Sequence, residues 1–273
     1  MLDAFQKEFR YRIAIFVFLF YTAWWVILFV AQTSDPTFSE LFSDTYGITA
    51  LIGCFIGLGV SARWGGLKSK MGRAVGAFAL GLAAQAFGQF IYTFYFLTQG
   101  IEAAYPSLGD VGYFGSIPLY IYGVMLLASA SGIRFSLKKM HNALFAIVIP
   151  LVLLAASYYS FLQGYEFDFE EPIRVFLDFA YPLGQAIYIS LALVTLVVSR
   201  KILGGVMRRK IFFILIALVL QYSADYLFLY QQIQETWVAG GVSDYLYLVS
   251  YFVMTMALFN IRISDVRAKL VTD

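Results

Sequence analysis

The sequence predicts an all-α integral membrane protein with eight transmembrane helices and both termini in the cytoplasm. Three observations lead to this fold class: the composition, the number of long apolar segments, and the distribution of basic residues between them. Of the 273 residues, 61% are apolar and 13% are charged, and the mean hydropathy is +0.76. A water-soluble domain carries more surface charge than this, so the composition indicates a membrane protein.

Eight segments are long and apolar enough to cross a bilayer core, for which an α-helix needs about 20 residues. The gaps between them are too short for a soluble domain, so we treat residues 1–273 as one transmembrane domain. The predicted segments span residues 12–31, 47–63, 74–97, 111–131, 143–163, 179–199, 211–231 and 244–262.

Basic residues predict the orientation of these segments, because cytoplasmic loops of membrane proteins are enriched in Lys and Arg. All but one of the 19 Lys and Arg residues lie at the two ends of the chain or in every second loop, and the exception is Arg174. An even number of segments leaves both termini on this basic side. We therefore expect a multi-pass protein of the cytoplasmic (plasma) membrane with both termini in the cytoplasm.

Each segment that runs inward has an aspartate near its predicted outer start: Asp44, Asp110, Asp178 and Asp244. A carboxylate there can accept hydrogen bonds from free backbone N–H groups and meets the positive end of the helix dipole. Unpaired N–H groups are costly at a membrane. We interpret the four aspartates as helix caps; the alternative is that some of them also line an outward-facing pocket.

The spacing of polar residues predicts an internal repeat. The outer aspartates recur at an interval of 134 positions, and a polar pair spaced i, i+4 recurs at an interval of 136. The two pairs are Gln85 with Gln89, and Gln221 with Asp225. This spacing puts each pair on one helix face. We predict two tandem four-helix halves of the same orientation, residues 1–135 and 136–273.

Asp225 is the strongest candidate for a functional group, because no predicted helix start explains it. It lies about 14 residues, or about 21 Å, above the cytoplasmic start of its segment. Polar side chains within a membrane are costly and usually face the bundle interior. The alternative is an interhelical hydrogen-bond network that only holds the helices together. The predicted ligand-binding residues are Asp225, Gln221, Gln89, Gln85, Gln185, Tyr113 and Tyr181, with Tyr92 and Tyr226 as further walls.

Several function classes lack the residues that they need. No lysine lies within a segment for a retinal Schiff base, and the single histidine, His141, excludes a bis-histidine haem site. The single cysteine, Cys54, excludes a disulfide framework. Nucleophilic triads, Walker loops and dinucleotide fingerprints are missing. We expect no enzyme activity, no catalytic residues, no cofactor, no metal site and no nucleic acid partner.

The line PSLGDVGYFGSIPL, from Pro106 to Leu119, resembles a motif of the multi-helix membrane sensory regions of bacterial signalling proteins. Those regions precede diguanylate cyclase (GGDEF), PAS or histidine kinase modules. Their motif runs P-S-x-x-D-x-x-Y-L-x-x-Y-P-L, and here Phe114 and Ile117 replace its Leu and its second Tyr. The stretches DFAYPLGQAIYI and VSDYLYLVSYF resemble later repetitions of this motif in the same membrane regions. The resemblance implies a sensory role. Because the chain ends 11 residues after Arg262, we expect the output module on a separate partner.

The sequence thus predicts a sensory or receptor-like protein that lies in the lipid bilayer, binds a small or lipophilic ligand in its outer half and signals to a separate cytoplasmic protein. Two alternatives stay open. A small-molecule or proton-coupled transporter is indicated by the tandem halves and the buried carboxylate of Asp225. A structural membrane subunit of a larger complex would use the same polar residues only for packing.

Overall fold

The computed structural model describes residues 2–31, 36–100, 105–130, 165, 167–199 and 206–261, and residues 148, 151, 152, 154–156, 158 and 159. These residues form α-helices and a 3₁₀ turn at Gly66–Lys68, with no strand among them. The longer helices are α1 (Leu2–Ala31), α2 (Pro36–Thr45), α3 (Ile48–Arg63), α4 (Lys70–Gln99), α5 (Leu108–Ala130), α6 (Pro172–Ser199), α7 (Val206–Ile233) and α8 (Val242–Asn260).

Seven stretches of the described chain are long and apolar enough to cross a membrane, as expected for a multi-pass membrane protein. They correspond to seven of the eight predicted segments. The other segment, 143–163, lies mostly outside the described residues, and those of its residues that are described are helical. The seven stretches are Phe9–Val30, Thr37–Arg63, Lys70–Gln99, Leu108–Ala130, Pro172–Leu196, Arg209–Gln232 and Val242–Asn260.

Two helix starts differ from the prediction, which corrects the capping interpretation of two aspartates. Asp44 lies in the last turn of α2, and α3 begins after Gly47 without a side-chain cap. Asp178 lies in the second turn of α6, because that helix already begins at Pro172. Proline suits the first position of a helix, where its missing N–H would have had no helical partner. Neither aspartate therefore caps a helix.

Six helices form a closed ring through successive contacts: α3 packs on α4, α4 on α5, α5 on α6, α6 on α7, α7 on α8, and α8 on α3. Glycine allows the closest approach between α4 and α5. A Cβ atom on Gly112 would lie 2.6 Å from the backbone nitrogen of Gly88. Small residues bring membrane helices together in this way.

Helix α1 lies outside this ring, against α8, α3 and α2. Its large apolar side chains are mostly exposed, among them Phe16 and Val30, as expected for a helix that faces lipid. At the other face of α1, the Tyr21 hydroxyl donates a hydrogen bond to the Thr45 carbonyl at 2.9 Å. This bond fixes α1 to the end of α2.

Apart from Arg174 in the first turn of α6, the described basic residues and most of the described acidic residues lie at opposite ends of the ring. Arg63 ends α3, and Lys70 begins α4 and donates a hydrogen bond from Nζ to Ser129 Oγ near the end of α5 at 3.1 Å. Asp110 and Asp244 lie in the first turns of α5 and α8, at the other end. The chain therefore has one basic end and one acidic end.

Candidate functional site

A cavity of about 390 Å³ lies at the acidic end of the ring. The first turns of α5 and α8, the outer halves of α4, α6 and α7, and the end of α2 contribute to its wall. Four of the seven predicted ligand-binding residues line it, namely Gln89, Tyr113, Tyr181 and Asp225. The structure thus brings together side chains from four different helices.

Asp225 on α7 lies where α6, α7 and α8 meet and accepts hydrogen bonds from all three helices. Tyr247 on α8 donates its hydroxyl to Asp225 Oδ1 at 2.6 Å. Gln221, one turn earlier on α7, donates from Nε2 at 3.3 Å, and Gln185 on α6 donates from Nε2 to Oδ2. All three partners donate to the carboxylate, so Asp225 acts only as a hydrogen-bond acceptor in this network.

Gln85, Gln185 and Gln221 were predicted to bind ligand, but none of them lines the cavity. All three are buried below it. Gln185 and Gln221 hold Asp225, and Gln85 joins α4 to α8 by accepting a hydrogen bond from Tyr251 Oη at 3.0 Å. Gln185 and Gln221 therefore position Asp225, which faces the cavity, whereas Gln85 connects helices below it.

Gln89 on α4 has a similar set of contacts on the opposite side of the cavity. Tyr113 on α5 donates its hydroxyl to Gln89 Oε1 at 3.0 Å. Gln89 in turn donates from Nε2 to the carbonyl oxygen of Ser43 at 2.7 Å. A Cβ atom on Gly47 would lie 2.6 Å from Gln89 Cγ, so only glycine leaves room for this side chain.

Two hydrogen-bonded pairs occur in corresponding positions of the two predicted halves. The Tyr113–Gln89 bond corresponds to the Tyr247–Asp225 bond. The tyrosines are 134 positions apart and their acceptors 136 apart, which are the intervals of the predicted repeat. At the same intervals, Gln85 bonds Ser116 at 2.8 Å and Gln221 bonds Ser250 at 3.0 Å. The chemical difference between the two networks is an amide at position 89 and a carboxylate at position 225.

Asp110 combines a capping contact with a place in the cavity wall. Its Oδ2 accepts the backbone N–H of Ser107 at 2.8 Å, and Ser107 Oγ accepts the N–H of Gly109 at 3.1 Å. This is the reciprocal pattern of a capping box. The other carboxylate oxygen accepts the Tyr181 hydroxyl at 2.9 Å. Asp110 thus joins the start of α5 to α6 at the cavity.

Asp244 has the corresponding position at the start of α8 and also lines the cavity. Its Oδ2 accepts the backbone N–H of Gly240 at 2.8 Å. Gly240 has a positive φ of 72°, a conformation that glycine adopts readily. The loop between α7 and α8 is therefore tied to the first turn of α8.

Asp178 holds the rim of the cavity and does not line it. Its two oxygens accept the hydroxyls of Tyr105 at 2.7 Å and Tyr165 at 2.6 Å. Burial and the neighbouring carboxylate raise the pKa of Tyr105 above its ordinary value. The same two causes raise the pKa of Tyr165. Both tyrosines therefore remain protonated donors, and they join the chain before α5 to the chain before α6.

Several cavity residues were not predicted as ligand-binding residues. Tyr92 was expected as a wall and lines the cavity, whereas Tyr226 does not line it and packs 4.4 Å from the Tyr222 ring. Glu40 and Trp237 also line it. They lie outside the predicted apolar segments, where an acid or a tryptophan normally indicates only the membrane interface. The sequence alone therefore does not distinguish Glu40 and Trp237 from ordinary residues of the membrane interface.

The described residues contain no group of three or more His, Cys, Asp or Glu side chains that could hold a metal ion. The carboxylates of the site are instead spread around the cavity on α2, α5, α7 and α8. Comparison with known proteins finds no family model, no curated protein and no solved structure that matches this chain.

Proposed function

We propose that this protein is a sensory or receptor-like membrane protein that binds a small ligand in the cavity at its acidic end. One observation carries this proposal: Asp225 and Gln89, polar residues that lie deep in apolar helices, both face a cavity of about 390 Å³. Small-molecule sites commonly have volumes of about 300–1,000 Å³ and a few convergent polar groups. A network needed only for packing does not require a space of this size beside its polar groups.

The proposed topology has eight membrane-spanning helices, with segment 143–163 as the fifth and both termini in the cytoplasm. The positive-inside rule supports this orientation, because Arg63, Lys68, Lys70 and Arg209 all lie away from the cavity. The cavity would then face the outside of the cytoplasmic membrane. A ligand could reach it without crossing the bilayer.

The proposed halves, residues 1–135 and 136–273, are supported by the order of helices in the ring. Helices α3, α4 and α5 are followed around the ring by α6, α7 and α8, and the last helix of each set packs on the first helix of the other. The corresponding Tyr113–Gln89 and Tyr247–Asp225 bonds fit the same relation. The cavity would lie on the axis that relates the halves.

Signal transfer would begin at Asp225, which joins three helices. A ligand that bonds this carboxylate competes with the donors Tyr247, Gln221 and Gln185, and so changes the contacts among α6, α7 and α8. Helix shifts of about 1–2 Å are a known way to transmit such a change. The output would pass to a separate cytoplasmic signalling protein at the basic end, where Arg209 begins the membrane-spanning part of α7.

A thermal-shift screen of small ligands on the purified full chain tests this proposal. The informative variant is Asp225→Gln, because glutamine already occupies the corresponding position 89, where it accepts the Tyr113 hydroxyl, and can accept the Tyr247 hydroxyl in the same way. Gln89→Ala removes the opposite polar wall. Ser223→Ala is the control, since Ser223 lies on the same helix but is exposed and bonds only its own helix.

The proposal expects at least one ligand to raise the melting temperature of the wild-type chain and of Ser223→Ala. The increase should be smaller in Asp225→Gln and in Gln89→Ala. If all four proteins respond equally to every stabilising ligand, the ligands bind elsewhere and the cavity is not the site.

A transporter is the second candidate, and the corresponding hydrogen bonds of the two halves favour it. Many secondary transporters have repeated halves with the substrate site between them, and a buried carboxylate can carry a proton. Flux through proteoliposomes separates the two functions. A sensor binds its ligand without moving it, whereas a carrier accumulates labelled ligand in vesicles and loses this activity in Asp225→Gln.

A further inference from the structure

We propose that the ligand of this cavity is an organic cation, an amine or quaternary ammonium with apolar substituents. This inference rests on the proposed ligand-binding function and adds the chemical class of the ligand. It follows from the charge of the cavity wall, from its aromatic rings, and from a tyrosine hydroxyl in the wall that makes no hydrogen bond within the described part of the chain.

The charged side chains in the cavity wall are all acidic. Five carboxyl groups line it, and none of the described lining residues is Lys, Arg or His. Like charges gathered in a partly buried space repel one another unless a cation or a proton neutralises them. An anionic ligand would add to this repulsion, and a purely apolar ligand would leave the negative charge of the wall uncompensated. The five are Glu40, Asp44, Asp110, Asp225 and Asp244.

Aromatic rings form much of the remaining wall. Tyr46 and Tyr247 lie with ring centroids 6.4 Å apart and planes inclined by 12°, and both line the cavity. Phe228 lines the cavity from α7, and Trp237 lines it from the loop that follows α7. Aromatic faces attract ammonium groups, and tryptophan does so best. Carboxylates combined with aromatic walls are the chemistry that recognises substituted ammonium ions.

The Tyr46 hydroxyl gives an independent indication of a polar ligand. The Tyr46 side chain is only 4% exposed and lines the cavity, and its hydroxyl makes no hydrogen bond within the described part of the chain. The hydroxyl oxygen is not fully enclosed by protein, so a polar group in the cavity can reach it and bond it. The ligand that we propose supplies this partner through an N–H group or through the positive edge of its ammonium head.

The arrangement suits an organic cation better than a metal ion. Asp110, Asp225 and Asp244 are each held by donors of their own, and no three acidic groups of the described chain converge on one point. Three donors make four hydrogen-bond contacts with Asp225, two at each carboxylate oxygen, and a carboxylate has about four acceptor sites. A ligand that bonds this carboxylate therefore replaces one of these contacts, whereas a quaternary ammonium pairs with its charge alone. We place the cationic head beside Asp225, because the corresponding residue of the other half is the neutral Gln89.

Equilibrium binding of three probes of similar size tests the inference on the full chain. The probes are benzyltrimethylammonium, its uncharged carbon isostere neopentylbenzene, and the anion phenylacetate. We expect the wild-type chain to bind the cation at least tenfold more tightly than the isostere, and not to bind the anion. Asp225→Gln should weaken cation binding at least tenfold and leave binding of the isostere unchanged.

Asp244→Asn is a second variant, in which the amide oxygen can still accept the Gly240 N–H, and it should also weaken binding of the cation. Ser223→Ala should match the wild-type chain. Equal affinity for the cation and the isostere would overturn the cationic class but would leave a working ligand pocket. Failure of the cation to bind, or unchanged binding in both acidic variants, would also overturn it. The ligand screen with Gln89→Ala then decides separately whether the cavity binds anything.

Discussion

The pair of variants Tyr113→Phe and Tyr247→Phe tests the difference between the two halves of the site. Each change removes one hydroxyl and keeps the ring, and the two hydroxyls donate to corresponding residues, Gln89 at 3.0 Å and Asp225 at 2.6 Å. An interhelical hydrogen bond between neutral groups in a membrane contributes about 0.6 kcal/mol on average. A bond to a charged group contributes about 1.5–3 kcal/mol. Tyr247→Phe should therefore cost about 1–2 kcal/mol more stability than Tyr113→Phe.

The free energy of unfolding of the full chain in mixed micelles, measured by titration with a denaturing detergent, checks this difference. A double-mutant cycle sharpens it. In an Asp225→Gln background, the tyrosine at 247 donates to an amide, so the loss in Tyr247→Phe should fall to the level of Tyr113→Phe. Equal losses for the two tyrosines in the native background would refute the conclusion that a carboxylate charge at position 225 sets the halves apart.

The remaining predictions concern packing, topology and the rim. Gly112→Ala should destabilise the chain by about 1–3 kcal/mol, because the new Cβ would overpack against α4. Gly115→Ala is the control: it lies one turn later, no atom is within 4 Å of its new Cβ, and it should be neutral or stabilising. If thermal unfolding shows Gly115→Ala to be the less stable variant, the close α4–α5 contact is contradicted. In a Cys54→Ala background, a membrane-impermeant thiol reagent should label Glu170→Cys from outside intact cells and Lys68→Cys only after lysis, and the reverse pattern would invert the topology. Asp178→Ala should weaken the rim by leaving Tyr105 and Tyr165 without their acceptor, seen as faster proteolysis near residue 165, while Glu170→Ala should have no such effect.

The apolar pattern predicted the helices well because membrane-spanning length is fixed by the bilayer. It predicted helix starts less well. Arg174 and Asp178 interrupt the apolar pattern in the first two turns of α6, so the predicted segment began only after Asp178, whereas the helix begins at Pro172. Segment 143–163 stays a prediction, as most of it lies outside the described residues.

The site could be predicted only in part. Asp225 and Gln89 were found because polar side chains deep in apolar helices are rare. The depth of a residue in the membrane does not show whether its side chain faces the cavity or supports another residue that does. Gln185 was therefore predicted to contact the ligand, although it bonds Asp225 and does not line the cavity. Tyr46 was missed since one tyrosine in a chain with 20 carries no signal of its own.

A cationic ligand in the acidic cavity would also account for the asymmetry between the two proposed halves. Two amides at positions 89 and 225 would satisfy the same tyrosines, as the Tyr113–Gln89 bond shows. A carboxylate at 225 accepts from Gln185 and Gln221 as well as from Tyr247, and it also adds a negative charge to the cavity wall. We attribute this charge to the ligand.

Fluorescence of Trp237 offers the most direct test of a cationic ligand beside Asp225, because this tryptophan lines the cavity. The difference between the wild-type chain and Trp237→Phe isolates its signal from those of the other three tryptophans. Titration with benzyltrimethylammonium should change this signal saturably, with a Kd at least tenfold higher in Asp225→Gln. The same Kd in both proteins, or a signal that does not respond to the cation, would contradict a cationic ligand beside Asp225.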